Sequence, residues 1–260
     1  MSEENRNTIR MRLKPHEHQL VMDSRKEQRN VLIVGDLHAP FIKGQCDDGE
    51  SYLQHCLDVY EKNNCNQVIL IGDCIDSHYS SFHETHPDGY AAGEELDRAI
   101  DQLKPWHDAF LKLGNKECIV TIGNHDAIIS RKAVQMGISQ KWLKGLSEVL
   151  EVPTWKFVDS YEQDGVIYTH GTGSSGARGC HNRVVNWGKS VVQGHIHTEC
   201  SVSWHCTKTS RHFAMQVGCG VTDSNQYALA YAKNFTKRSI IACGVVLNNG
   251  ELPITYPMHL

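Results

Sequence analysis

Five short polar motifs constrain this chain more than any other feature, because each stands where a strand should end. They read Gly35-Asp36-Leu37-His38, Gly72-Asp73-Cys74-Ile75-Asp76, Gly123-Asn124-His125-Asp126, Thr169-His170-Gly171 and Gly194-His195-Ile196-His197. Apolar runs precede four of them: Val31 to Val34, Val68 to Ile71, Ile119 to Ile122 and Val166 to Tyr168. The fifth follows the shorter Val191-Val192. A buried strand that stops at Gly and then presents Asp, His or Asn delivers ligand atoms to the carboxyl edge of a sheet, where open α/β folds build their sites.

The donors are oxygen and imidazole nitrogen, a set that suits Mn, Fe(II), Zn or Ni and needs no thiolate. Seven ligands can be drawn from the motifs: Asp36, His38, Asp73, Asn124, His170, His195 and His197. That is too many for one tetrahedral ion, and it suits two ions roughly 3.5–4 Å apart that share a carboxylate. Taken singly, each motif has a plainer reading. Asp-x-His is common, Gly-Asp after a strand is often a turn, and Gly-Asn-His-Asp can cap a helix. The ordered set of five is what points to a dinuclear centre.

The order Asp-x-His, Gly-Asp, Gly-Asn-His-Asp, His-Gly, Gly-His-x-His resembles the calcineurin-like metallophosphoesterase superfamily, from about Val31 to His197, with every ligand position filled. The resemblance implies a four-layer α/β/β/α sandwich of two mixed sheets flanked by helices. It implies two divalent metal ions, Mn2+ first, with Fe, Zn or Ni as alternatives. Asp36, His38 and His197 would hold one metal, Asn124, His170 and His195 the other, and Asp73 would bridge them. A metal-bridging hydroxide would then attack phosphorus in line. Features of the linker and C-terminal half also resemble bacteriophage-encoded members.

His125 is the candidate general acid, since it lies between a ligand and a helix start and is not needed for coordination. Its reference pKa of about 6.5 lets it donate near neutrality. By resemblance to the phosphoprotein phosphatase branch, Asp76 orients that histidine; a helix N-cap is the other reading. Asp126 is expected to be a supporting or capping carboxylate. The glycine-rich stretch Thr172 to Gly179 can present N–H groups to an anion, with Arg178 or Arg183 as a charged clamp, or be a plain surface loop. No Walker spacing is present. The segment Ser77 to Gly93 should overhang the pocket, where His83 or His86 would contact substrate or simply face solvent.

Departures from known branches narrow the substrate. Protein Ser/Thr phosphatases carry Arg-Gly where Ser77-His78 stand, and Glu where Asp126 stands. Purple acid phosphatases place a Tyr ligand where Cys74 and Ile75 lie. Lipid A-type pyrophosphatases replace the histidine at position 125 by Arg. The remaining group contains phosphodiesterases and nucleases, so hydrolysis of a phosphodiester is favoured, in a nucleotide or at a nucleic-acid end. The alternatives are a broad-range phosphomonoesterase and a metal-binding accessory subunit of a replication or repair assembly.

A net charge of −4 argues against tight nonspecific duplex binding. Ten cysteines without a C-x-x-C pair, and no secretory signal pattern, predict reduced thiols and a cytoplasmic location, the host cytoplasm for a phage-encoded protein. No apolar run is long enough to span a bilayer. Residues 1–29 read as an arm, with a helix over Met11 to Lys26, through which a partner or a second copy could dock. Residues 30–260 read as one metallophosphoesterase domain.

Apolar periodicity predicts helices over Gly49 to Asn63, Glu94 to Leu113 (kinked or divided at Pro105), Ala127 to Met136, Ser139 to Leu150 and Tyr227 to Phe235. Strands are expected near Val31–Val34, Gln67–Ile71, Glu117–Ile122, Trp155–Val158, Val166–Tyr168, Ser190–Gln193, Glu199–Trp204, Phe213–Val217 and Ile240–Leu247. Asn248-Asn249-Gly250 reads as a hairpin turn.

Overall fold

The computed structural model describes residues 28–82, 88–174, 176, 178–222 and 238–258. In chain order it runs β1 (Val31–Val34), α1 (Tyr52–Lys62), β2 (Gln67–Leu70), α2 (Ala92–Lys112), β3 (Cys118–Thr121), α3 (Ile128–Gln135), a 3₁₀ turn (Gln140–Trp142), α4 (Leu146–Val149) and β4 (Trp155–Val158). There follow β5 (Ser160–Gln163), β6 (Val166–Thr169), α5 (Gly179–Trp187), β7 (Ser190–Gln193), β8 (Cys200–Cys206), β9 (Arg211–Val217), β10 (Ala242–Leu247) and β11 (Leu252–Pro257).

Among the described residues the strands form two sheets, ordered β11-β10-β1-β2-β3-β4 and β5-β6-β7-β9-β8. β1 to β4 run parallel, while β10 and β11 are antiparallel additions. In the second sheet β6, β7 and β9 are parallel, and β5 and β8 antiparallel. Both sheets are therefore mixed.

The four residues of β1 show how the layers stack. All are buried, as a strand covered on both faces requires. Val31 and Ile33 join a core between the sheets with Ile69, Tyr168, Phe213 and Met215. Leu32 and Val34 point the other way, into a core with Tyr52 and Cys56 of α1 and Leu103 and Trp106 of α2. Across the second sheet, Cys180 and Val184 of α5 cover Val191 and Ala214. The order is helix, sheet, sheet, helix, the α/β/β/α sandwich the resemblance implied.

The structure departs from the sequence reading, or adds to it, in three places. The helix predicted over Ser139 to Leu150 is instead a 3₁₀ turn and the short α4, because Leu143 turns extended (φ −94°, ψ 141°) and Gly145 restarts the chain. α2 runs through Pro105 without dividing, held to the sheet on both sides of the proline by buried Leu103, Trp106 and Phe110. The glycine-rich stretch leads into a helix, α5, that sequence periodicity did not reveal. The hairpin of β8 and β9 and the Asn248-Asn249-Gly250 turn are present, the latter with φ of 57°, 55° and 90°. The helices expected over Met11 to Lys26 and Tyr227 to Phe235 lie outside the described residues.

Candidate metal centre

The parallel strands β1, β2, β3, β6 and β7 deliver their following loops to one region. Those loops are cross-linked by backbone: the N–H groups of Leu37 and His38 both donate to the Asp73 carbonyl, at 3.1 and 2.8 Å. The price of this convergence is local strain, since His38, Asp73 and His195 take left-handed φ of 47°, 45° and 69°. Non-glycine residues in that region cluster at functional sites. Two glycines make room for carboxylates. A Cβ at Gly123 would stand 1.9 Å from Asp73 Oδ1, and one at Gly194 would stand 2.1 Å from Asp36 Oδ1.

The seven candidate ligands come together as two adjoining groups. His170 Nε2 lies 2.9 Å from Asn124 Oδ1, 3.2 Å from His195 Nδ1 and 3.1 Å from Asp73 Oδ2. His197 Nε2 lies 3.0 Å from Asp36 Oδ2, and His38 completes that triad. Asp73 Oδ2 also lies 3.5 Å from His38 Nε2, so one carboxylate oxygen faces both groups. The other oxygen of Asp73 accepts from the His125 N–H at 2.8 Å.

The residues pass a test of fit for a metal. Asp36 Oδ1 and His38 Nε2 are buried polar atoms without a hydrogen-bond partner. Such orphans are costly unless something unseen satisfies them, and a cation would satisfy both. The tautomers agree. His38 Nδ1 faces Asp76 Oδ1 at 2.6 Å and His170 Nδ1 faces the Ile71 carbonyl at 2.8 Å. Each ring donates there and keeps its Nε2 lone pair for an ion, the usual support for a ligating histidine. His38, Asp76 and His125 also cluster closely enough for one ion, but hydrogen bonds to Asp76 already occupy both Nδ1 atoms.

Electrostatics separate the histidines. Burial lowers the His38 pKa and the neighbouring His125 lowers it further, against Asp76, which favours the neutral imidazole that a metal requires. Burial and His170 lower that of His195. Burial would also lower His170, but Asp73 and Asp36 overcome it and raise the value to about 10. Burial disfavours an ionised Asp73, yet His170, His125 and His38 hold it below the usual carboxylate range. A metal needs neutral imidazole. Loading at pH 8 should therefore expel close to one proton from His170, and affinity should rise by about tenfold per pH unit until the histidine deprotonates near pH 10. Calorimetry in two buffers of different ionisation heat measures this; no proton release would show that His170 is already neutral in the metal-free protein.

His125 stands just outside the ligand groups, its ring centroid 4.5 Å from that of His38. Its Nδ1 donates to the Asp76 carbonyl, and the Asp76 carboxylate lies 3.6 Å away. Burial would lower its pKa, but Asp73 and Asp76 win and raise it. Asp76 thus serves His38 through its side chain and His125 mainly through its main chain, a division the sequence did not reveal. Asp126 is a brace: its carboxylate accepts from the N–H groups of Cys74, Ile75 and Gly123 at 2.9, 3.3 and 2.9 Å, tying two motifs together. Burial and Asp73 raise its pKa to about 6.

Sequence reasoning also missed Glu95 of α2, whose carboxylate accepts from the N–H groups of His78 and Tyr79 and anchors the segment after Asp76. Its position in the polar first turn of a helix carried no such signal. Arg183 is tied up as the loop's own brace, donating to the Thr172 carbonyl at 2.7 Å and lying over Trp187. Arg178 is exposed at the start of α5, and no contact joins it to the ligand groups. His83 and His86 lie outside the described residues.

A pocket of about 370 Å³ opens against the ligands, with Asn124, His170, Thr172, Asp159 and Arg131 on its walls. A larger apolar cavity of about 710 Å³ lies between α2, α3 and residues 140–149, and none of the seven ligands lines it. The smaller pocket is the one that meets the chemistry.

Two carboxylate-linked His/Asp groups at the edge of a four-layer sandwich fit a dinuclear divalent metal site. The family model for calcineurin-like phosphoesterases matches residues 29–213, and the chain belongs to that family. It is accordingly a hydrolase of phosphoric esters. Among solved structures it is similar to Yfce, a phosphoesterase from E. coli, with 13% identity, a TM-score of 0.38 and coverage of 88% of this chain and 100% of that one. It is also similar to Pseudomonas putida nuclease MPE, with 11% identity, a TM-score of 0.39 and coverage of 88% and 86%. Similarity at that level says nothing of substrate. No curated protein matches the chain significantly. No helix among the described residues is long and apolar enough to cross a membrane.

Proposed function

We propose that this chain hydrolyses a phosphodiester, in a nucleotide or at a nucleic-acid end, with two divalent ions, Mn2+ foremost. The observation that carries the reading is Asp73 Oδ2, which lies 3.1 Å from His170 Nε2 and 3.5 Å from His38 Nε2, with His125 alongside. Asp36, His38 and His197 would hold one ion and Asn124, His170 and His195 the other, with Asp73 between them. When bound, such a pair supplies hydroxide at neutral pH and neutralises phosphoryl oxygens.

The chain's own part is positional and acidic. With Nδ1 committed to the Asp76 carbonyl, the proton that His125 can transfer is the one on Nε2. Asp73 and Asp76 raise its pKa and so favour the imidazolium, which can hand its proton to a departing alkoxide. Alkoxide departure is what hydrolysis of a nucleotide diester demands.

Steady-state hydrolysis of bis(p-nitrophenyl) phosphate and p-nitrophenyl phosphate by the Mn-loaded protein tests the reading. Diester kcat/KM should exceed monoester kcat/KM by at least about tenfold, more than 1.4 kcal/mol of discrimination. Monoester preference would make the protein a phosphatase. Absence of any turnover with both ions bound would favour an accessory subunit.

A further inference from the structure

We infer that Arg131 is a specificity-determining residue that binds a second phosphate of the substrate, beside the scissile one, so that the preferred diesters are nucleotides carrying a flanking phosphate. This rests on the phosphodiesterase reading and deepens it. Arg131 lies on α3 (Ile128–Gln135), the helix that follows the turn carrying Asn124 and His125, so it is placed close along the chain to a candidate ligand. Its side chain lines the 370 Å³ pocket whose other walls include Asn124 and His170.

The arginine is held in place without spending its donors. Its guanidinium lies over the Phe82 ring, 5.0 Å from the centroid. Lys132 approaches the same ring at 5.2 Å and donates to the Ser81 carbonyl at 3.0 Å, which fixes the segment carrying Phe82. A guanidinium held against an aromatic ring, and not by hydrogen-bond acceptors, keeps its N–H donors available. Among the described residues no carboxylate pairs with Arg131; Asp159 shares the pocket yet forms no ion pair with it.

The seven ligands already provide for the scissile phosphate. A cation in the same pocket but outside that set suits another anion, and the fork geometry matches a phosphate bidentately. The pocket falls within the range of about 300–1,000 Å³ that holds small ligands, more than a phosphate alone requires. Asp159 offers an acceptor for a sugar hydroxyl or a base N–H and repels a phosphate from its own side. A nucleoside with a phosphate toward Arg131 satisfies both walls.

The test uses two chromogenic diesters, thymidine 5′-(p-nitrophenyl phosphate) with and without a 3′-phosphate. The Mn-loaded protein should prefer the 3′-phosphorylated diester by on the order of tenfold in kcat/KM, through a lower KM, as a charged hydrogen bond allows. The preference should shrink with added salt. Arg131→Gln should collapse it below about twofold, and Arg131→Lys, a cation without the fork, should keep only part. No preference in the wild type, or an equal kcat loss on both substrates in Arg131→Gln, would overturn the inference. Cleavage of bis(p-nitrophenyl) phosphate but of neither nucleotide would overturn it while sparing the phosphodiesterase reading. Cleavage of no diester would remove that reading first, and this one with it.

Discussion

Asp73→Asn is expected to leave a folded protein that binds neither metal tightly and hydrolyses diesters near background. The substitution retains an oxygen to accept the His125 N–H, now at 2.8 Å, so the loop keeps its anchor. What disappears is the charge between the two ligand groups. Loss of even an outer partner of a ligand costs about 10–100-fold in affinity, so loss of the shared carboxylate should cost at least the upper end of that range. Elemental analysis after dialysis measures it. A second readout separates this outcome from unfolding. Without Asp73, the largest influence raising His170 is gone, and its metal-free pKa should fall well below about 10, as histidine NMR would show. Full metal occupancy in the variant would refute the bridging role.

His125→Ala should do the opposite, keeping both metals and losing turnover. The His125 ring bonds to Asp76 and not to the Asp73, His170, His195 group. Loss of a general acid costs about 10²–10⁴-fold in kcat. The full loss should appear with a dinucleotide, whose alkoxide needs a proton. It should be smaller with p-nitrophenyl esters, because a nitrophenolate leaves without one. The sign of the pH dependence follows from the direction of the shift. Asp73 and Asp76 raise the His125 pKa above that of an ordinary histidine, so wild-type kcat should be full on the acid side of that raised pKa and fall on the alkaline side as the imidazolium is lost. The variant should lack this alkaline fall. A dinucleotide rate unchanged by the substitution would dismiss His125 as the acid.

The elements read most readily from sequence are those buried on both faces. Val31–Val34 and Cys118-Ile119-Val120 are continuous apolar runs, because a central parallel strand meets core above and below. The strands that escaped notice, Ser160–Gln163 and Leu252–Pro257, sit at sheet edges. One alternates between exposed and half-buried polar residues, and the other carries Pro253 and Pro257, which an edge tolerates and an interior position does not. Trp142, Leu143, Leu146 and Val149 recur at helical spacing, but Trp142 is 84% exposed, so no buried stripe enforces one helix.

The sequence by itself showed the buried strands and the candidate donors at their ends, and the architecture followed from its resemblance to a known family. The candidate donors are local properties: an apolar run, a glycine that stops it, and a polar side chain one or two residues beyond. Tertiary structure alone decided how the donors are used. His38 and Asp76 are 38 residues apart, and only the folded edge places Nδ1 of one at 2.6 Å from a carboxylate oxygen of the other. The same edge puts Asp73 Oδ2 between two histidines, turns Arg183 toward a carbonyl, and sets Arg131 over Phe82 beside the pocket. Hydrogen bonding and charge depend on ångström distances between loops, and motif spacing along the chain carries no measure of those distances.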